Sequence, residues 1–120
     1  MTEFRCLDVT EIGDVTVVRF RNRRITEDID IEEFGNEMFS LVETDKREKL
    51  LLSFSLVEAL SSAAIGKLIT MHRKVHAQGG VLKLSNIPPR IYEVFTIFKL
   101  NRLFDIEEEE AEALAALGSN

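Results

Sequence analysis

Two adjacent serines, Ser61 and Ser62, are the residues whose type and position most clearly suggest chemistry. They follow a short apolar run that begins at Lys49, and they precede a stretch in which Ile65 and Leu68 lie on one face of a helix. A helix start carries unpaired backbone N–H groups and the positive end of the helix dipole. A serine there can cap the helix, or its hydroxyl can accept a phosphate whose charge the helix start tolerates. The residues alone leave both interpretations open.

A histidine pair, His72 and His76, is the second candidate group, because two histidines four residues apart on a helix can bind a metal. The zinc-hydrolase motif requires a glutamate directly after the first histidine, where this sequence has Arg73. We therefore interpret the pair as a surface or partly buried one, with a metal hydrolase as the alternative that elemental analysis would test. No two carboxylates are spaced for acid–base catalysis. No phosphate-binding glycine loop is present, because Gly79-Gly80 follows a helix instead of opening one. We predict no enzyme, no cofactor and no metal.

The composition predicts a globular protein with a single domain over residues 1–120, since 45% of the residues are hydrophobic and 30% are charged. The net charge is −6 and no basic stripe is present, which argues against a nucleic-acid partner. A single cysteine, Cys6, excludes an intrachain disulfide and fits a reducing compartment. The N-terminus has no apolar signal region, and no apolar run approaches the roughly 20 residues of a membrane span. We expect a cytoplasmic protein without membrane insertion.

The elements that would position the serines follow in the order β-β-α-β-α-β-α-β-α. Phe4 to Glu11 and Val15 to Phe20 predict an antiparallel hairpin. The apolar run from Lys49 and the run Val81 to Leu84 suit buried parallel strands, joined by a helix from about Ser62 to Ala77. This order is typical of an α/β fold in which four helices pack around a mixed, mostly parallel sheet.

Local patterns predict where several of these elements begin and end. Asp30 and Glu33 have the spacing of a capping box at the start of the first helix. Gly79 suits a left-handed cap after the central helix. Phe98 is expected to complete the buried face of the third helix, together with Ile91, Val94 and Phe95. The last elements are predicted to be a strand within residues 102–106 and a helix over residues 107–117.

From these segments the chain resembles the STAS domain family of bacterial anti-sigma factor antagonists, over nearly its whole length. The family pattern is an apolar strand, then Asp-Ser-Ser-Gly-Leu-Gly, then an amphipathic helix that ends in Gly-Gly before another strand. This sequence reads Ser-Ser-Ala-Ala-Ile-Gly at residues 61–66, with Gly-Gly-Val-Leu-Lys-Leu at residues 79–84. Residues 87–95 and 100–106 resemble the family's closing helix and strand. The resemblance implies the STAS (SpoIIAA-like) fold.

In that family the serine after the aspartate is phosphorylated by a partner kinase that is itself the anti-sigma factor. When the family pattern is aligned with this sequence, its phosphorylated serine matches Ser62, and Ser61 is the second choice. Ser61 takes the aspartate position, Ala63 and Ala64 replace the second serine and the first glycine, and Gly66 keeps the second glycine. The family's acidic residue after the second strand has Thr26 as its nearest match. The resemblance thus implies an antagonist that binds an anti-sigma factor/serine kinase until phosphorylation prevents it.

The implied partner surface is the loop that carries Ser61 and Ser62, which we call the serine loop, together with the start of the central helix. The basic loop at residues 21–24 is either a plain surface loop or, on charge alone, a further contact for an acidic partner. The expected contact residues are Ser61, Ser62, Ala63, Ala64, Gly66, Lys67, Arg23, Arg24 and Thr26. A monomer or weak dimer fits this switch. The alternative is a STAS scaffold or accessory subunit of a stress-sensing or lipid-transport assembly, without phospho-switching.

Overall fold

The computed structural model of the protein describes residues 4–118. Its strands are β1 (Leu7–Ile12), β2 (Val15–Phe20), β3 (Arg24–Ile25), β4 (Lys49–Ser53), β5 (Ala59–Leu60), β6 (Val81–Ser85) and β7 (Asp105–Glu107). Five of them form one sheet in the order β1-β2-β4-β6-β7, in which β1 and β2 are antiparallel and all other neighbours are parallel. The predicted mixed, mostly parallel sheet is confirmed.

Four α-helices pack around this sheet, as predicted. They are α1 (Asp28–Glu43), α2 (Ser62–Ala77), α3 (Pro89–Ile97) and α4 (Glu110–Ala116), with a 3₁₀ turn at Leu100–Arg102. The end of α2 confirms the glycine cap, because Gly79 has a φ of 77°. The Gly79 N–H donates to the carbonyl of His76, and the Gly80 N–H donates to that of Val75, which completes a Schellman motif. Within residues 4–118, no helix has the length and apolar character needed to cross a membrane.

Strand β4 lies at the centre of the sheet, as its apolar run predicts. Leu50 and Leu52 are fully buried in the larger core, beneath α1, α2 and α3. Leu51 is fully buried in the smaller core on the opposite face, where Ala113 and Leu117 cover it. A strand buried on both faces has no room for polar side chains among these leucines.

Helix α4 is held over the smaller core by an ion pair. Glu110 accepts two hydrogen bonds from Arg19 of β2, at 3.0 Å from Nε and 2.7 Å from Nη2. These bonds hold the pKa of Glu110 below its usual range, and they raise the pKa of Arg19. The pair therefore joins the C-terminal segment to the sheet.

Several local predictions are wrong or shifted. Helix α1 begins at Asp28, and its N-cap, Glu27, makes no side-chain cap hydrogen bond, so Asp30 and Glu33 do not form a capping box. Phe98 lies just beyond α3 and is 63% exposed instead of buried. The last helix begins three residues later than predicted, because residues 105–107 continue the sheet as β7.

Candidate functional site

The serine loop and the basic loop lie side by side, because β3 and β5 pair as a small parallel sheet. The carbonyl of Arg23 accepts hydrogen bonds from the N–H groups of Glu58, at 2.6 Å, and Ala59, at 3.2 Å. The Ser61 N–H donates to the carbonyl of Ile25 at 3.1 Å. The structure therefore brings Arg23, Arg24 and Thr26 next to the residues that lead into α2.

The two serines at the start of α2 have different surroundings. Ser61 is the N-cap, and its Oγ accepts a hydrogen bond from the N–H of Ala64 at 3.2 Å. Ser62 is the first helical residue and is exposed, and its hydroxyl makes no hydrogen bond within residues 4–118. Capping therefore occupies one hydroxyl and leaves the other accessible.

The other predicted contact residues on α2 differ in exposure. Ala63 and Gly66 are exposed, whereas Ala64 is fully buried against the core. A partner that docks on the exposed side of α2 can therefore contact Ala63 and Gly66 directly. Ala64 instead positions the helix start, because its N–H binds the cap and its methyl group packs inside.

Lys67 connects α2 to α1. Its Nζ lies 3.3 Å from Oε1 of Glu32 and 6.0 Å from the centre of the Phe39 ring. Its chain passes over Gly35, where an added Cβ would lie 2.9 Å from the Lys67 Cδ. Gly35 thus makes room for this contact, which explains a glycine inside a helix that it weakens.

The charges around the site are only partly paired. Arg23 forms an ion pair with Glu58 at 2.9 Å, and both side chains are more than half exposed. Arg24 is exposed and forms no ion pair with any described residue. Leu56, in the loop between β4 and β5, lines the same surface cavity as this pair and exposes 50% of its surface. The sequence gives no periodic signal for Leu56 or Glu58, because their places depend on the β3–β5 pairing.

The histidine pair lies elsewhere on α2. The ring centres of His72 and His76 are 4.2 Å apart, and His72 packs edge-on against Phe104 at 5.3 Å. Burial, and then the neighbouring His76, lower the pKa of His72. This packing agrees with a partly buried pair.

Among the described residues, one group of three potential metal ligands lies close together: Cys6, Glu33 and Glu37. The Glu37 carboxylate already accepts the backbone N–H groups of Arg5 and Cys6, both at 2.9 Å, and Glu33 pairs with the Arg5 guanidinium at 2.8 Å. Burial and the two carboxylates raise the pKa of Cys6 to about 11, so the thiol stays protonated at neutral pH. We interpret the group as a set of structural contacts that attach the N-terminal segment to α1.

Residues 7–113 match the family model of the STAS domain. An anti-sigma-factor antagonist (STAS) domain protein from Planctomyces limnophilus is 22% identical, covers 94% of this chain and 98% of its own, and superposes with a TM-score of 0.82. The phosphorylated form of SpoIIAA, a cell fate determinant of Bacillus, is 16% identical over 92% and 98% of the two chains, with a TM-score of 0.71. A sulfate transporter family protein from Wolinella succinogenes is 13% identical over 88% and 85%, with a TM-score of 0.73. At these identities the likeness shows the shared fold.

Proposed function

The chain belongs to the STAS domain family, and on that basis we propose that it is a cytoplasmic, non-enzymatic anti-sigma factor antagonist. Its partner is an anti-sigma factor that is also a serine kinase. The docking surface comprises the serine loop, the exposed start of α2 and the neighbouring basic loop. Phosphorylation of Ser62 ends the interaction.

The different roles of the two hydroxyls are the observation that carries this proposal. A kinase reaches an exposed hydroxyl without a hydrogen-bond partner more readily than one that is partly buried and already engaged. Ser62 meets both conditions, whereas the Ser61 hydroxyl is engaged as the cap of α2. Ser62 is therefore the acceptor, in agreement with its match to the family's phosphorylated serine.

The switch acts on docking and leaves the fold unchanged. Phosphate adds about 1.5 to 2 negative charges at neutral pH. On Ser62 that charge would lie beside unpaired N–H groups and the positive end of the α2 dipole, so the free protein tolerates it. A partner that covers the phosphate without an opposing charge would bury an unpaired charge, which is strongly unfavourable.

The test combines phosphorylation and binding with the kinase that co-purifies from native cells. Peptide mapping after incubation with ATP should place phosphate on Ser62 in the wild type and in Ser61→Ala, and none on Ser62→Ala. Ser62→Asp should keep its circular dichroism spectrum and melting temperature and lose the partner. Partner binding that is unaffected by ATP, with no phosphate on either serine, would refute the switch.

A second candidate is a STAS subunit without phospho-switching in a larger assembly. The departures from the family pattern favour it, since Ser61 replaces the aspartate and Ala64 replaces the first glycine. The fold shared with the sulfate transporter family protein is compatible with such a role. Size-exclusion chromatography with light scattering on native extracts separates the two candidates: a monomer or dimer supports the antagonist, and a very large particle supports the subunit.

A further inference from the structure

The end of α3 and the turn that follows it expose an apolar surface, which we call the α3 patch: Ile97, Phe98 and Leu103. Their exposed fractions are 73%, 63% and 40%. Phe98 continues the buried stripe of α3, three residues after Phe95, but the helix ends at Ile97 and the ring extends beyond the core. The stripe thus continues onto the surface, as expected where another chain completes the packing.

Two unpaired cations accompany the α3 patch. Lys99 and Arg102 are both exposed, and neither forms an ion pair with any residue in the range 4–118. Lys99 adopts a left-handed conformation, with a φ of 59°, between the helix and the 3₁₀ turn. The two cations place positive charge beside the exposed apolar side chains, although the chain has a net charge of −6.

We propose that the α3 patch docks an acidic amphipathic helix of a partner protein. The apolar side chains of that helix would cover Ile97 and Phe98, and its carboxylates would pair with Lys99 and Arg102. A second copy docked on the same patch would bring Lys99 and Arg102 against the same two cations, and two cations are fewer than the clusters of about four to eight that bind anionic membranes. The two cations therefore select an acidic partner, and an amphipathic helix is a segment that presents an apolar stripe beside charged residues.

The α3 patch is separate from the serine loop. Phe104, directly after Leu103, packs against His72 of α2. His72 lies roughly 15 Å along the helix from Ser62, at 1.5 Å per residue. The inference is thus independent of the proposed function, and Ser62→Asp should leave docking at the α3 patch unchanged.

The experiment uses two synthetic 18-residue helical peptides with the same leucine and phenylalanine stripe. One carries glutamates beside the stripe, and the other carries lysines. Fluorescence anisotropy with the full chain should show at least tenfold tighter binding of the acidic peptide. The double variant Ile97→Ser/Phe98→Ser should weaken that binding at least tenfold, and NMR shifts should map to residues 97–103.

Lys46 provides a matched charge control. Like Lys99, it is exposed, has a left-handed backbone with a φ of 56°, and forms no ion pair within the described chain. Lys99→Glu should weaken binding of the acidic peptide several-fold, whereas Lys46→Glu should not. Unchanged melting temperatures would show that each variant is folded.

Four results would overturn the proposal. Equal affinity for the two peptides, or binding that survives Ile97→Ser/Phe98→Ser, would show that the patch does not select an acidic helix. Binding to phosphatidylserine vesicles that the double variant loses, without peptide binding, would identify a membrane contact. A dimer in sedimentation equilibrium that the double variant dissociates would identify a second copy as the occupant.

Discussion

Replacing Ser61 with alanine should destabilise the protein, whereas the same change at Ser62 should not. Ser61→Ala removes the hydrogen bond from the Ala64 N–H to Oγ at the start of α2. Loss of such a cap costs about 1 kcal/mol, within a range of roughly 0.5 to 2. Ser62 makes no hydrogen bond within residues 4–118, and alanine has the higher helix propensity, so Ser62→Ala should change stability by only a few tenths of a kcal/mol.

Urea unfolding of the two variants at neutral pH measures this difference, with equal denaturant slopes as the condition for comparing midpoints. A loss of 1 kcal/mol corresponds to a melting temperature lower by about 4 °C for a domain of this size. Ser61→Asp is the matched control, because aspartate is an equally good cap, and it should stay near wild-type stability. If Ser62→Ala lost as much stability as Ser61→Ala, the assignment of Ser61 as the cap would be wrong, and the proposal of Ser62 as the phosphate acceptor would lose its support.

Three further predictions concern the core, the α4 ion pair and the basic loop. Leu52→Asp should unfold the protein, because an unpaired carboxylate in the centre of the sheet costs several kcal/mol; a near-native melting temperature would contradict this. Glu110→Gln should cost roughly 0.5 to 1 kcal/mol at neutral pH. Because the folded-state pKa of Glu110 is lowered, the Arg19 pair stabilises above the carboxyl's ordinary pKa and is lost as the pH falls through the lowered value. Urea midpoints of wild type and variant should therefore converge in acid, and a constant gap would refute this. Arg23→Glu/Arg24→Glu should slow association with the proposed kinase partner in stopped-flow measurements at low salt, with little change in melting temperature; an unchanged rate would exclude the basic loop from docking.

The main sheet and its helices could be predicted from the sequence because apolar periodicity reports directly which side of an element is buried. The run from Lys49 becomes the central strand β4, and α2 spans Ser62–Ala77 as predicted. The glycine cap at Gly79 could also be predicted from the sequence, since few residues other than glycine adopt its backbone conformation without strain.

Apolar periodicity does not indicate where a helix or strand begins or ends, and the wrong predictions concern these boundaries. Phe98 has the right spacing for burial, but α3 ends one residue earlier, and the core does not extend beneath it. The strands β3 and β5 have two residues each, too few for any alternating pattern, and their pairing depends on contacts distant in sequence.

At the candidate site, sequence reasoning pointed to both serines and matched the phosphate acceptor to Ser62, but it did not show which of the two caps α2. Either residue is a good cap by type, and which of them caps depends on the backbone at the first turn of α2. The neighbours Leu56 and Glu58 could not be found from the sequence, because only the folded loop places them beside Arg23.

The β3–β5 pairing would also affect the entropy of docking at the proposed surface. Hydrogen bonds from Glu58 to Arg23 and from Ser61 to Ile25 fix the two loops relative to each other before any partner arrives. Ordering flexible segments on association lowers affinity, and a surface that is already ordered avoids that loss. For this surface, complex formation should resemble rigid-body docking, with affinity changes that appear mainly in the dissociation rate.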